Sequence, residues 1–169
     1  MVCTDAGTVG KARAVATGIA LDRYTGPRSR HWLANTDADC IVPPGWLGEQ
    51  FLAAAHVDAF AGTVDVDTFE EHLPIVKERF RATYLLRPDG SHSHVHGANI
   101  GFRADFYLNA GGWKDLPTAE DHDLWNRLSQ IGARKLASTK IEVLTSGRRV
   151  GRAPHGFADA LAAHNSTVA

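Results

Sequence analysis

Two aspartates one residue apart, Asp37 and Asp39, stand in the segment Trp32-Leu33-Ala34-Asn35-Thr36-Asp37-Ala38-Asp39-Cys40-Ile41-Val42-Pro43-Pro44. Its opening apolar residues read as a buried strand, and Ile41 and Val42 run into a Pro-Pro stop. On an extended backbone, side chains two apart share a face, so both carboxylates would project from the end of that strand in one direction. Such a pair suits Mg²⁺ or Mn²⁺, with phosphate oxygens and water filling the remaining positions. The competing reading is a plain turn, because Asp is common in turns and D-x-D arises by chance. The strand before it and three further motifs favour the metal platform.

A second acidic group, Glu120-Asp121-His122-Asp123, opens a helix whose Leu124, Leu128 and Ile131 share a face and whose stop is Gly132. Thr118 with Asp121 resembles a capping box, and acids at a helix N-terminus need no function. Three carboxylates exceed that need, and one facing a cleft is placed to act as a general base. Between the two acidic groups lies Ser91-His92-Ser93-His94-Val95-His96. If extended, it turns all three imidazoles one way, and a polar loop lining a site is preferred over zinc, which lacks an obvious fourth ligand. His96-Gly97-Ala98-Asn99 follows, with Gly97 permitting close backbone approach and Asn99 offering both donor and acceptor. Late in the chain, Arg148, Arg149 and Arg152 sit in a Gly-rich loop ending at His155-Gly156-Phe157, and guanidinium groups so placed suit a pyrophosphate.

These groups need a scaffold. The sequence predicts a helix over Lys11–Leu21 with Lys11 and Arg13 near its start, and a polar loop from Tyr24 to Arg30. A second helix is predicted over Trp46–Ala55 with Leu47, Phe51 and Ala55 packed inward, then an alternating strand over Phe60–Val66. Glu70–Tyr84 reads as a surface helix with Leu73, Val76, Phe80 and Tyr84 on one face and Pro74 in its first turn. A Pro88-Asp89-Gly90 turn, a short helix over Phe106–Ala110 ended by Gly111-Gly112, and a strand over Lys140–Leu144 complete the expected elements.

With 169 residues, 44% hydrophobic and 22% charged, the chain fits one globular domain with a real core, here 1–164, followed by a frayed tail over 165–169. A net charge of -1 argues against nucleic acid as a partner. Cys3 and Cys40 form no disulfide framework and no C-x-x-C pair, as in a reducing compartment. No stretch reads as a transmembrane segment or signal peptide, so the expected location is the cytoplasm, with the inner face of a membrane as the alternative.

Taken in order, the motifs from about Gly10 to Phe157 resemble the inverting family 2 glycosyltransferases of GT-A fold. Asn35-Thr36-Asp37-Ala38-Asp39 with Pro43, Trp46 and Leu47 is similar to the family's D-x-D motif. His96-Gly97-Ala98-Asn99 resembles its acceptor-side loop, and Gly111-Gly112-Trp113 followed by Glu120-Asp121-His122-Asp123-Leu124 resembles its G-G-(F/W)…E-D element. The resemblance implies an α/β, Rossmann-like mixed sheet flanked by helices. It implies a nucleotide-diphosphate sugar donor bridged by Mg²⁺ or Mn²⁺ to Asp37 and Asp39, with Lys11, Arg13, Arg149 and Arg152 near the diphosphate and His155 as a further metal ligand. Asp121, with Glu120 beside it, would be the base, and His96, Gly97, Ala98, Asn99 and Trp113 would line the side of a hydroxyl acceptor, a lipid or a glycan. Two other classes fit parts of the pattern: a metal-dependent nucleotidyltransferase, and a nucleotide-sugar-binding module without turnover. The resemblance also implies a preceding strand-helix-strand unit of about 50 to 90 residues. The chain is therefore expected to be an N-terminally truncated portion of such a domain, self-associating through an exposed sheet edge.

Overall fold

The computed structural model describes residues 5–84, 86–151, 153 and 156–166. The expectations for Cys3, Arg152 and His155 fall outside the described residues. Along the chain run helix α1 (Val9–Arg23), strand β1 (Trp32–Asn35), helix α2 (Trp46–Ala54), strand β2 (Ala59–Val66), helix α3 (Val76–Thr83), strand β3 (Ile100–Arg103), helices α4 (Ala104–Asn109) and α5 (Glu120–Gln130), strand β4 (Lys135–Thr145) and helix α6 (Phe157–Ala163).

The strands form one mixed sheet in the order β1-β3-β2-β4. β3 is antiparallel to both neighbours, with Leu33 opposite Phe102 and Phe60 opposite Gly101, whereas β2 and β4 are parallel with a register shift between Ala61 and Thr63. The fold is thus the expected α/β class, a mixed sheet flanked by helices, with β1 at one edge. Period-two alternation sorts β2 between two cores. Ala59 faces the larger one, built on Phe102, Ile100, Leu124, Leu128 and Trp113, while Phe60 faces Trp46, Ile141 and Val143 on the other side of the sheet. Fully burying a side chain such as Phe102, which is 0% exposed, contributes about 1.5–3 kcal/mol. A third cluster of Val76, Phe80 and Leu161 ties α3 to α6. Among the described residues, no helix is long and apolar enough to cross a membrane.

Several elements differ from the sequence expectation, each for a local reason. On α2 the packed residues are Trp46, Gln50 and Ala53, while Leu47 and Phe51 are exposed. Polar anchors set that phase: Trp46 Nε1 donates to Asn99 Oδ1 at 3.0 Å, and Trp32 Nε1 donates to Gln50 Oε1 at 2.8 Å. The helix expected from Glu70 begins only at Val76, leaving Leu73 half exposed. Asp67 and Thr68 take the backbone N–H groups of Thr68 and Glu70 into local turns, which compete with helix, and Pro74 then precedes the helix. Residues 100–103, to which the sequence reading assigned no element, are a central strand. Gly101 interrupts its apolar pattern because a Cβ there would lie 2.1 Å from Gln50 Oε1 and 2.6 Å from Trp32 Nε1. β4 starts five residues before the expected Lys140. Helix α6 was not anticipated, and Asn165, at the start of the expected tail, accepts the Leu73 N–H on its Oδ1 at 2.9 Å.

Candidate functional site

β1 ends at Asn35, and the Asp37 carbonyl then accepts the Cys40 N–H at 3.1 Å. Asp37-Ala38-Asp39-Cys40 is therefore a turn, not the extended end of a strand. The turn still gathers the acids: the Asp37 and Asp39 carboxylates and Cys40 Sγ lie within 4.8 Å of one another. Each aspartate holds an arginine, Asp37 with Arg13 at 2.5 Å and Asp39 with Arg148 at 2.6 Å. Burial raises the Asp37 carboxyl above its ordinary value, outweighing the lowering by Arg13, and burial likewise raises the Cys40 thiol.

The opposite wall is the start of α5. Ala119 precedes it at φ 58°, in the left-handed region, and makes no side-chain cap bond; among the described residues, no bond of the expected box joins Thr118 to Asp121. Asp121 Oδ2 instead accepts the Gly97 N–H at 2.8 Å. Glu120 turns inward, buried, and accepts from Arg13 Nε at 3.2 Å, and burial raises its carboxyl. Arg13 also donates from Nη1 to the Gly97 carbonyl at 2.9 Å, with its guanidinium 5.4 Å above the Trp113 ring. This buried arginine thus joins α1, the aspartate turn, the 97–99 turn and α5. Gly97 leaves the space that Arg13 occupies, since a Cβ would stand 2.5 Å from Arg13 Nη2 and the guanidinium would have to shift.

The three histidines do turn one way, as a row whose ring centroids are 6.3 and 6.0 Å apart. They do not gather around a common point as zinc ligands would. His92 is buried, His94 Nε2 lies 2.9 Å from the Thr83 carbonyl, and His96 Nε2 lies 2.9 Å from the Tyr84 hydroxyl. Burial lowers His96 to about 4, which keeps the ring neutral at physiological pH.

The two walls enclose a cleft of about 550 Å³ that takes in Asp37, Asp39, His96, Gly97, Asp121 and Arg148. Arg13, Ala98 and Glu120 also line it. Lys11 is exposed away from the cleft, and Arg149 is exposed with its backbone N–H on Glu71 Oε2 at 2.8 Å. Asn99, 0% exposed, is spent on Trp46 and on the Thr63 and Ile141 carbonyls, and Trp113 lies in the core behind Arg13. Arg148, named with Arg149 and Arg152 as suiting a pyrophosphate but not carried into the expected diphosphate contacts, lines the cleft. Its signal was position, as the first arginine after the strand that passes the Ile41 bridge to Leu144.

The donor set fits a divalent cation. Two carboxylates on a turn, both more than a third exposed, leave room for phosphate oxygens and water to complete the shell of Mg²⁺ or Mn²⁺. Cys40 adds a softer donor beside them.

No family model and no curated protein matches the chain. Among solved structures it is similar to the mannosyltransferase PcManGT from Pyrobaculum calidifontis, determined in complex with GDP-Man and Mn²⁺. The identity is 19% and the TM-score 0.51, over 90% of this chain and 48% of that one. The chain therefore has the mixed α/β fold of that glycosyltransferase and spans about half its length.

Proposed function

We propose that the cleft belongs to a glycosyltransferase that moves a sugar from a nucleotide-diphosphate donor to a hydroxyl acceptor, with inversion at the transferred carbon, as in family 2. The observation that carries this reading is that the Asp37 and Asp39 turn and the Asp121 carboxylate face one cleft from different walls. Asp37 and Asp39 would hold Mg²⁺ or Mn²⁺, which supplies charge neutralisation for the leaving diphosphate when bound. Arg148, 40% exposed and seated on Asp39, can reorient to a diphosphate oxygen and add a charge-assisted hydrogen bond. Arg13 fixes Asp37 and the α5 start relative to each other, which keeps the two walls in register.

Asp121 would take the proton of the attacking hydroxyl, and the Gly97 N–H bond orients that carboxylate without protonating it. Single displacement needs the base on the face opposite the leaving group, an arrangement that the two-walled cleft supports. Calorimetry of GDP and UDP with Mn²⁺ and with chelator tests the donor half. Equal affinity in both would remove the metal bridge and leave the aspartates as partners of Arg13 and Arg148 alone. Donor hydrolysis in the presence of metal then separates an enzyme from a binding module.

A further inference from the structure

Each arginine on the aspartate turn takes one carboxylate oxygen. Arg13 Nη2 donates to Asp37 Oδ1 at 2.5 Å, and Arg148 Nη1 donates to Asp39 Oδ2 at 2.6 Å. Asp39 Oδ1 is left over by that pairing, and it is the oxygen that Cys40 Sγ faces, at 4.0 Å. The turn brings the thiol there, because the Cys40 N–H closes on the Asp37 carbonyl at 3.1 Å and Ile41 then bridges to Leu144 at the end of β4. Cys40 also packs against the core of Trp46, Phe60, Ile141 and Val143, which fixes the residue from behind. Its thiol neighbours the side chain of Thr145, a residue of the cleft wall.

Ligands of one ion stand close together: metal–sulfur and metal–oxygen bonds of about 2.3 and 2.1 Å put the two donors roughly 3.6 Å apart in a tetrahedral shell. The 4.0 Å between Sγ and Asp39 Oδ1 is slightly longer, a difference that rotation of the Asp39 side chain spans. A carboxylate oxygen of Asp37 completes a set whose atoms all lie within 4.8 Å of one another. Two carboxylates alone are hard donors that suit Mg²⁺ and Mn²⁺, whereas a thiolate prefers softer ions and adds nothing for Mg²⁺. We propose that Cys40 is a third protein ligand of the aspartate turn, bound as the thiolate, and that it makes the site selective for borderline ions such as Co²⁺ and Zn²⁺ over Mg²⁺. Of the two ions named under the proposed function it favours Mn²⁺. The thiol proton passes to solvent as the metal binds. Three protein ligands still leave a position for a phosphate oxygen or water. This rests on the reading of the turn as a metal site and names the class of ion that it takes.

The test uses the whole chain, metal-free and reduced, carrying Cys3→Ser so that Cys40 is its one thiol. Titrated with Co²⁺ alone, this protein is expected to develop sulfur-to-cobalt charge-transfer absorption in the near ultraviolet that saturates at one ion per chain, and Zn²⁺ is expected to abolish it by displacement. Adding Cys40→Ser removes the absorption and lowers Co²⁺ and Zn²⁺ affinity at least roughly tenfold, since even an outer-shell partner of a ligand is worth that much. Mg²⁺ affinity, read by competition, stays within about threefold, because oxygen donors alone serve that ion. Asp39→Ala in the Cys3→Ser chain keeps the thiol and is expected to lose the saturable band. A band unchanged by Asp39→Ala overturns the proposal, since the thiol then binds without the turn's carboxylate. Co²⁺ bound with ligand-field absorption alone, and with equal affinity in Cys40→Ser, overturns it and leaves the metal reading of the aspartates standing. Absence of saturable binding of Mn²⁺, Co²⁺ and Zn²⁺ overturns both.

Discussion

Asp121 and Gly97 are joined across two elements by a hydrogen bond of 2.8 Å from the glycine N–H to the carboxylate, while Arg13 holds the carbonyl of the same glycine. One peptide unit is thereby gripped from both ends, by α1 and by α5, and the candidate base is fixed to the turn that lines the acceptor side.

Arg13 is the hub of that arrangement, with a side chain 9% exposed and contacts to Asp37, Glu120 and Gly97. Arg13→Met keeps an apolar stem over Trp113 but strands two carboxylates, one of them buried. Removing one partner of a buried ion pair costs about 3–5 kcal/mol. Urea unfolding is expected to show a loss of that size, and adding Glu120→Gln should restore part of it, because the coupled pair is not additive. A loss below about 1 kcal/mol would mean that Arg13 is not the element joining the walls.

The acid limb of stability is assigned to Asp58. It is 3% exposed, accepts from the Arg134 side chain at 3.0 and 3.1 Å and from its backbone N–H at 2.9 Å, and pairs with Arg103 at 2.8 Å. Hydrogen bonds from the Arg134 side chain are the main cause that holds its carboxyl below the ordinary value. The folded state therefore binds fewer protons here than the unfolded state at acid pH. The stabilisation is complete above the ordinary Asp value of about 3.9 and is lost as pH falls through the depressed folded value. Asp58→Asn is expected to be less stable at pH 7 and to show a shallower decline toward pH 3 in urea melts. A decline as steep as that of wild type would place the acid sensitivity elsewhere.

The sequence made the acidic groups and most helices legible, because D-x-D, E-D and apolar spacing are local signals. It did not make their geometry legible. Asp37 and Asp39 converge through a turn, which alternation along a strand does not describe, and Asp121 leaves its expected cap for a glycine 24 residues away. β3 was invisible because Gly101 breaks its apolar pattern to make room for Trp32 and Gln50, both distant in the chain. Lys11 and Arg13 looked alike near a helix start, and only helical phase separates the buried arginine from the exposed lysine. The same limit hid Arg148 among its neighbouring arginines.

For the aspartate turn, the expected outcome is that Asp39→Ala abolishes metal-dependent nucleotide binding. Asp39 is both a carboxylate donor and the partner of Arg148, so its loss removes a metal ligand and frees an arginine in one step. The arginine then remains as a metal-independent phosphate contact. Titration calorimetry of GDP and UDP in Mn²⁺ should show affinity falling at least tenfold, with the residual binding insensitive to chelator. Retention of the wild-type response to chelator in Asp39→Ala would show that the metal, if bound, is held elsewhere.

Asp121→Asn separates the base from its structural duty. The amide oxygen can still accept the Gly97 N–H, so the joint between α5 and the 97–99 turn persists, but the side chain can no longer take a proton. Turnover is expected to fall by about 10²–10⁴-fold, the usual worth of a positioned general base, with donor affinity unchanged within about twofold. Glu120→Gln is the control from the adjacent position: its carboxyl faces Arg13, so that change should lower stability and leave the pH dependence of turnover in place. Rates from single-turnover transfer, measured beside donor affinity for both variants, decide the assignment. If Asp121→Asn transferred sugar at the native rate while Glu120→Gln did not, the proton would have to pass to Glu120, and Asp121 would keep only its bond to Gly97.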